Sequence, residues 1–385
     1  MLPPLELSFD EQSGIPDPSL LVVAIKGGGL SRSVTFKSSG PGLRKSGDVL
    51  LCLGLIPAME LGCDLVLDMP VDTSLLENAQ RIQAMLCDWY PGYRPVNIHA
   101  ERTTTQYPPS RGSGAFFSAG VDSSYSLVDA RSRLDGLVTL IGADVALSDR
   151  READHLKSVA RNVGAAYGLE AIIIETDIRT VFDRMIGWVE YHGAVLGAVR
   201  HMLADRFENQ LIASSADESS WTRRWGSHPA LDPLFGTDGA RIEHHGLVHR
   251  LAKIQRILSE PTLMNNLRVC DYQHDNCGVC EDCTFMVQAL DTLGGLDRAP
   301  TFPTGASAGG RIKVTGEGSK SDLLHLEAAA TATGRSRRLV DEIDRAMRWY
   351  ETKKKINAVL QLPELKRRFK RLKRRCRYWR AALRD

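Results

Sequence analysis

The sequence predicts an α/β protein: a parallel-sheet nucleotide-binding domain with a four-cysteine metal module, preceded by a smaller N-terminal α/β domain and followed by a basic helical tail. Three observations predict it. After Gly114 short apolar runs alternate with helical ones. The first of those runs, ending at Phe116-Phe117, passes straight into the small-residue loop Ser118-Ala119-Gly120-Val121-Asp122-Ser123-Ser124. Cys270, Cys277, Cys280 and Cys283 then follow at C-x6-C-x2-C-x2-C spacing. Alternating strands and helices build a parallel sheet covered on both faces, and ligands sit at the carboxyl ends of its strands.

Residues 1–110 read as the first domain. The apolar run 20–25 and the alternating run 33–37 flank Gly27-Gly28-Gly29 and predict two short strands joined by a hairpin turn. A helix is expected over 48–61 and a strand over 64–68. Ser74-x-x-Glu77 then opens a helix as a capping box, with Leu75, Leu76, Ala79, Ile82, Met85 and Leu86 as its core stripe. The polar, proline-containing stretch 102–113 marks the boundary. Over 111–300 the expected order is strand 115–117, helix, strand 137–141, helix 148–167 stopped by Gly168, strand 171–175, helix 186–207 and strand 210–213. The loop 118–124, the turn Gly142-Ala143-Asp144 and Ser214-Ser215 all fall at strand ends. A Gly/Ser-rich stretch over 304–321 leads into the third segment, 301–385.

In the loop, small side chains let the backbone approach an anion, and a helix starting near Val121 aims free N–H groups and its positive dipole end at it. The loop has neither the Gly-Lys-Ser/Thr ending of a Walker A motif nor a Gly-x-Gly-x-x-Gly. It resembles the SGGxDS signature of the N-type ATP pyrophosphatases, the PP-loop enzymes: Ser118, Gly120, Asp122 and Ser123 match, and Ala119 stands where the family has glycine. The resemblance implies a HUP-type fold and the use of ATP and Mg2+. It also implies a nucleotide site made by Ser118, Ala119, Gly120, Val121, Asp122, Ser123, Ser124 and Gly142, with residues 139–144 bordering the adenosine.

Four thiolates at the observed spacing form a closed tetrahedral site that suits zinc in a structural role, with an iron–sulfur cluster as the alternative and His274 as a substitute ligand. Loop and quartet together, in this order, resemble the cyano-deazaguanine synthases over residues 112–292. The chain departs from them at Tyr191-His192-Gly193-Ala194 and over 225–233, which points to a different substrate.

The stretch 219–233 is crowded with groups that bind or move protons. Arg223 or Arg224 is a candidate partner for a substrate carboxylate, and His228 a candidate proton shuttle. Lys253 matches in position a family lysine that offsets charge on the leaving pyrophosphate, and Asp122 is expected to position magnesium or the loop. The expected activity is adenylation of a carboxylate or carbonyl oxygen of a small-molecule acid, with release of pyrophosphate and displacement of AMP by ammonia or an amine. The other readings are an RNA (tRNA) modifying enzyme, base thiolation included, and a catalytically inactive nucleotide-binding protein.

The 385 residues, 43% hydrophobic and 25% charged, suffice for more than one core. No basic start followed by an apolar run marks a signal peptide, and the run 49–59, broken by Pro57, is too short to span a membrane, so a cytoplasmic location is expected. From residue 351 onward fourteen Lys or Arg face three Asp or Glu, a net +11 that leaves −9 on the rest. Such a tail, with Phe369, Tyr378 and Trp379 among its cations, suits RNA, an anionic surface or an acidic carrier protein. Self-association into a homo-oligomer is left open by the sequence.

Overall fold

The computed structural model describes residues 3–10, 17–27, 30–109, 111–183, 185–270, 275–303, 312–334, 337–360, 369, 372 and 373. Gly28, Gly29, His274, Cys376 and most of the basic tail lie outside the described residues. In chain order the elements begin β1 (Leu5–Phe9), β2 (Leu20–Gly27), β3 (Leu30–Ser38), α1 (Gly47–Leu61), β4 (Leu65–Leu67), β5 (Val71–Asp72), α2 (Thr73–Trp89), β6 (Ile98–His99) and β7 (Arg102–Thr103). Then come β8 (Gly112–Phe116), α3 (Val121–Asp129), β9 (Gly136–Ile141), α4 (Arg150–Tyr167), β10 (Glu170–Thr176), α5 (Ile178–Phe182), α6 (Trp188–Met202), β11 (Phe207–Ala213) and β12 (Arg241–His245). The last helices are α7 (Arg250–Ile257), α8 (Pro261–Met264), α9 (Glu281–Thr292), α10 (Glu317–Thr333) and α11 (Arg337–Leu360).

Ten strands share one sheet in the order β12-β11-β8-β9-β10-β3-β2-β1-β4-β6, and β5 pairs with β7 beside it. The five strands β12 to β10 are mutually parallel. Strands from the first 110 residues join them through β3, which runs antiparallel to β10. Within the parallel block the chain starts at β8, winds outward to β9 and β10, then returns to the other side of β8 to lay down β11 and β12. That reversal is a switch point, where strand ends splay and leave a crevice for a ligand.

Both faces of the parallel block are covered, as period-two alternation requires. Phe116, Val138, Ile172 and Ile174 pack in one core with α1, α2 and α6. Their neighbours Ala115, Phe117, Leu137 and Ile173 pack in the other with α3, α4, α7, α9 and α10. α1 is buried along its whole length, capped by Ser46 at its start and by left-handed Gly62 (φ 72°) at its end.

Several expected boundaries shift for identifiable reasons. α2 is capped by Asp72, whose carboxylate accepts from the Ser74 N–H at 2.9 Å and the Ser74 hydroxyl at 2.6 Å, so the anticipated cap at Ser74 lies inside the first turn. The helix foreseen over 186–207 ends at Met202, and Phe207 already opens β11. β12 was not foreseen. The Gly/Ser-rich stretch 304–321 is not wholly a linker, because α10 starts within it at Glu317.

One close approach fixes the site's roof. A Cβ on Gly193 of α6 would sit 2.0 Å from the Gly226 carbonyl oxygen, and the Gly226 N–H donates to Val189 O at 2.8 Å. Gly193→Ala therefore pushes the 222–228 loop off the helix. We expect a loss of about 2–3 kcal/mol in a denaturant melt.

Candidate functional site

The loop foreseen as a phosphate cradle lies at the carboxyl end of β8. Gly120 is the N-cap of α3 and no side chain caps that helix, so its first N–H groups are left to water or an anion. Ser123 Oγ turns back to accept from the Ser118 N–H at 3.2 Å and donates to Gly120 O at 3.2 Å, closing the loop on itself. Ala119 takes the left-handed conformation, φ 61°, that glycine adopts freely. Its methyl is buried in the core behind the loop. Removing that methyl in Ala119→Gly relieves backbone strain but sacrifices packing and adds unfolded-state freedom, effects of about 1 kcal/mol each, so stability should stay within about 1 kcal/mol of the parent. A β-branched residue has no such offset. Ala119→Val should cost more than about 2 kcal/mol by thermal melting and weaken AMP binding in a calorimetric titration.

Beneath the loop, Asp122 meets two cations from one face of α7, where Arg250 and Lys253 stand at i,i+3. Lys253 Nζ donates to Asp122 Oδ1 at 2.9 Å and to Ser214 O, at the end of β11, at 2.6 Å. Lys253 is only 1% exposed and does not line the cavity at the strand ends, so its charge reaches that cavity through Asp122, which does. Arg250 reaches Asp122 Oδ2 at 3.3 Å. Burial opposes a charge on Asp122, but Lys253 and Arg250 prevail and hold its carboxyl below the usual range.

Loop and strand ends enclose a cavity of about 300 Å³. Ser118, Asp122 and Ser123 line it from β8 and α3, Thr139, Ala143 and Asp144 from β9 and the turn after it, and Ala213 and Ser215 from β11. Trp188 and His192 of α6, and Arg223 and Trp225 of the loop above, complete it. Ala119, Gly120, Val121 and Ser124 shape the loop from behind without lining the cavity. Gly142 is a turn former: its φ is 98°, and a Cβ there would fall 1.7 Å from Thr176 O.

The two sides of the crevice differ. The Arg223 guanidinium lies 3.8 Å from the centre of the Trp225 ring, and among the described residues no carboxylate pairs with it. Burial, and then the charge of Arg250, lower its pKa, so an anion there is favoured. Arg223 and Trp225 also line a wider adjoining cleft of about 990 Å³ between the 222–225 loop, α9 and α10. Arg224 lines only that cleft, and its guanidinium reaches Trp89 O at 3.4 Å. His228, expected as a proton shuttle, does not line the cavity. It is buried between the rings of Trp89 and Trp221, and its Nδ1 accepts from the Ala230 N–H at 3.0 Å. Burial, chiefly, holds it toward the neutral form.

The four cysteines converge as their spacing foretold: their Sγ atoms all lie within 4.8 Å of one another, and the group can hold a metal ion such as zinc. Cys277 and Cys283 lie 3.8 Å apart, and Cys270 and Cys280 4.0 Å. A tetrahedral ion with Zn–S bonds of about 2.3 Å needs S···S edges of about 3.8 Å. A multi-iron cluster would hold the thiolates farther apart than one ion does. Burial opposes ionisation of Cys277, but the N–H groups of Val279 and Cys280 bring its thiol down to about 7, whereas burial pushes the Cys280 and Cys283 thiols up, so it takes a bound cation to draw all four protons off.

This module reaches the loop by two routes, one direct and one through Arg250. The Arg268 N–H, two residues before Cys270, donates to Ala119 O at 2.9 Å, and the Arg268 side chain lines the cavity while paired with Glu152 of α4. On α9, which starts inside the cysteine cluster, Asp282 lies 3.8 Å from Arg250, the partner of Asp122.

No family model, curated protein or solved structure matches this chain. The site therefore has to be read from its own chemistry. Arg250, Arg268, Trp188, His192 and His244 were not singled out in the sequence as site residues. Arg250 carried a signal, the i,i+3 spacing to Lys253, and so did Arg268, two positions before the first cysteine.

Proposed function

We propose that this protein is an ATP-dependent, AMP-forming C–N ligase of PP-loop, HUP-type architecture that activates a small-molecule acid. The observation that carries the reading is the uncapped α3 N-terminus at the switch point, with the buried Lys253–Asp122 pair directly beneath it. The β- and γ-phosphates of ATP fit the loop formed by residues 118–124. The nucleoside fits toward Thr139, Ala143 and Asp144, and the acid toward Arg223. Asp122 is the one loop carboxylate able to hold Mg2+, which when bound neutralises phosphate charge.

A substrate carboxylate oxygen attacks the α-phosphorus and the bond to pyrophosphate breaks. Lys253, fixed behind Asp122, supplies positive charge that offsets the negative charge accumulating on the leaving pyrophosphate. Arg223, stacked on Trp225, orients the acid before attack. The acyl-adenylate then carries AMP as a good leaving group for ammonia or an amine. The four-cysteine module binds one zinc ion and holds Arg268 and α9 in place; no step passes through it.

The test is a screen of carboxylic acids, and of RNA as acceptor, with ammonium chloride present, for acceptor-dependent AMP and pyrophosphate from Mg-ATP. Equal amounts of both products with one acceptor class are expected. ADP and phosphate, or no turnover with any acceptor, would overturn the reading.

A further inference from the structure

Outside the groups just used, one cavity side chain among the described residues keeps a buried nitrogen without a hydrogen bond. His244, at the carboxyl end of β12, lines the cavity with its side chain only 5% exposed. Its Nδ1 lies 2.7 Å from Asp232 Oδ2, and its Nε2 is buried without a hydrogen bond. Asp232 is itself fully buried and held from two further directions: Ser227 Oγ donates to Oδ2 at 2.7 Å and the His228 N–H to Oδ1 at 3.1 Å. A carboxylate fixed this way accepts the Nδ1 proton and so fixes the tautomer, leaving the Nε2 lone pair bare. A bare buried nitrogen costs free energy unless something comes to use it.

Position says what that is. The loop 118–124 stands at the end of β8, the nucleoside side at β9, and His244 on the opposite side, beyond β11. His244 thus shares the acceptor side of the crevice with Arg223 and Trp225.

We infer that His244 is the general base of the second half-reaction, with Asp232 as its positioning residue. The inference rests on the ligase reading above. The nitrogen of ammonia or of a primary amine attacks the acyl carbon, the C–N bond forms, and the C–O bond to AMP breaks. The proton released from that nitrogen passes to His244 Nε2, and from there to water after AMP leaves. Step one needs no base, because a carboxylate is already the nucleophile. His244 therefore serves amide formation and not adenylation.

Two measurements on the full metal-loaded chain test this. The first needs no substrate: 15N NMR of histidine-labelled protein should show His244 as the Nδ1–H tautomer with an unprotonated Nε2, a state that Asp232→Asn disturbs. Finding Nε2–H in the parent protein would overturn the inference. The second uses the acid returned by the screen, with ammonium chloride as the amine. His244→Asn keeps a donor for Asp232 but has no base, and amide formation should fall at least about a hundredfold while acid-dependent ATP–pyrophosphate exchange stays near the parent level. His244→Gln, which places an amide near the Nε2 position, should behave alike. Equal losses in both half-reactions, or no loss in either, would overturn it. If no acid supports exchange in the parent, the ligase reading fails, and the tautomer measurement still decides whether His244 presents a base.

Discussion

Lys253→Met should lower AMP and pyrophosphate formation by about 10²-fold, the effect of removing one fixed positive charge from behind a developing negative one. Methionine keeps most of the buried stem, so what is lost is the ammonium. Lys253 is 1% exposed and bridges Asp122 to Ser214 O, and its removal leaves Asp122 with Arg250 alone and the Ser214 carbonyl without that donor. Breaking a buried pair from one side costs about 3–5 kcal/mol, so stability will fall as well. The two effects separate by ligand. AMP lacks the pyrophosphate that Lys253 serves, so its binding to folded Lys253→Met should survive within a fewfold, whereas pyrophosphate binding should drop sharply. Equal weakening of both would mean that Lys253 only supports the fold.

Removing the metal should have the larger structural effect. Cys270 and Cys283 are fully buried and the start of α9 is built on the cluster, so without an ion the four side chains revert to thiols and nothing ties the segment before Cys270 to the start of α9. Treatment with a strong chelator, or Cys283→Ser, should release one zinc per chain and lower the melting temperature by on the order of 10 °C. Nucleotide binding should be lost with it. The route is physical: Arg268 hangs on the metal segment and its N–H holds Ala119 O, and Asp282 on α9 faces Arg250, which in turn faces Asp122. A protein that loses its zinc, keeps its melting temperature and still binds AMP would show the module to be independent of the loop.

The parallel block was legible because its strands are aliphatic and alternate with helices at spacings that local periodicity resolves. Phe116-Phe117, residues 137–141 and residues 171–175 each give a recognisable buried strand. β12 was not legible. Arg241-Ile242-Glu243-His244-His245 has one aliphatic residue, and it is a strand because β11 pairs with it and Glu243 meets Arg133 of the neighbouring turn at 2.5 Å. Short-range ligand spacing exposed the cysteine cluster directly. The His244 dyad depends on Asp232, twelve residues earlier and brought back by a single 3-10 turn, which no periodicity reports. His228 drew attention as the histidine of a polar loop. The fold instead encloses it between two tryptophans and puts a strand histidine at the cavity.

The central claim is that the crevice at the end of β8 takes the pyrophosphate of ATP and splits the nucleotide at its α-phosphorus. The most direct measurement is 31P NMR of Mg-ATP turnover with ammonium chloride and an active acid in 18O-labelled carboxylate form. The account predicts AMP and pyrophosphate in equal amounts, with the label transferred to AMP. Label in phosphate, or ADP as the product, would contradict it.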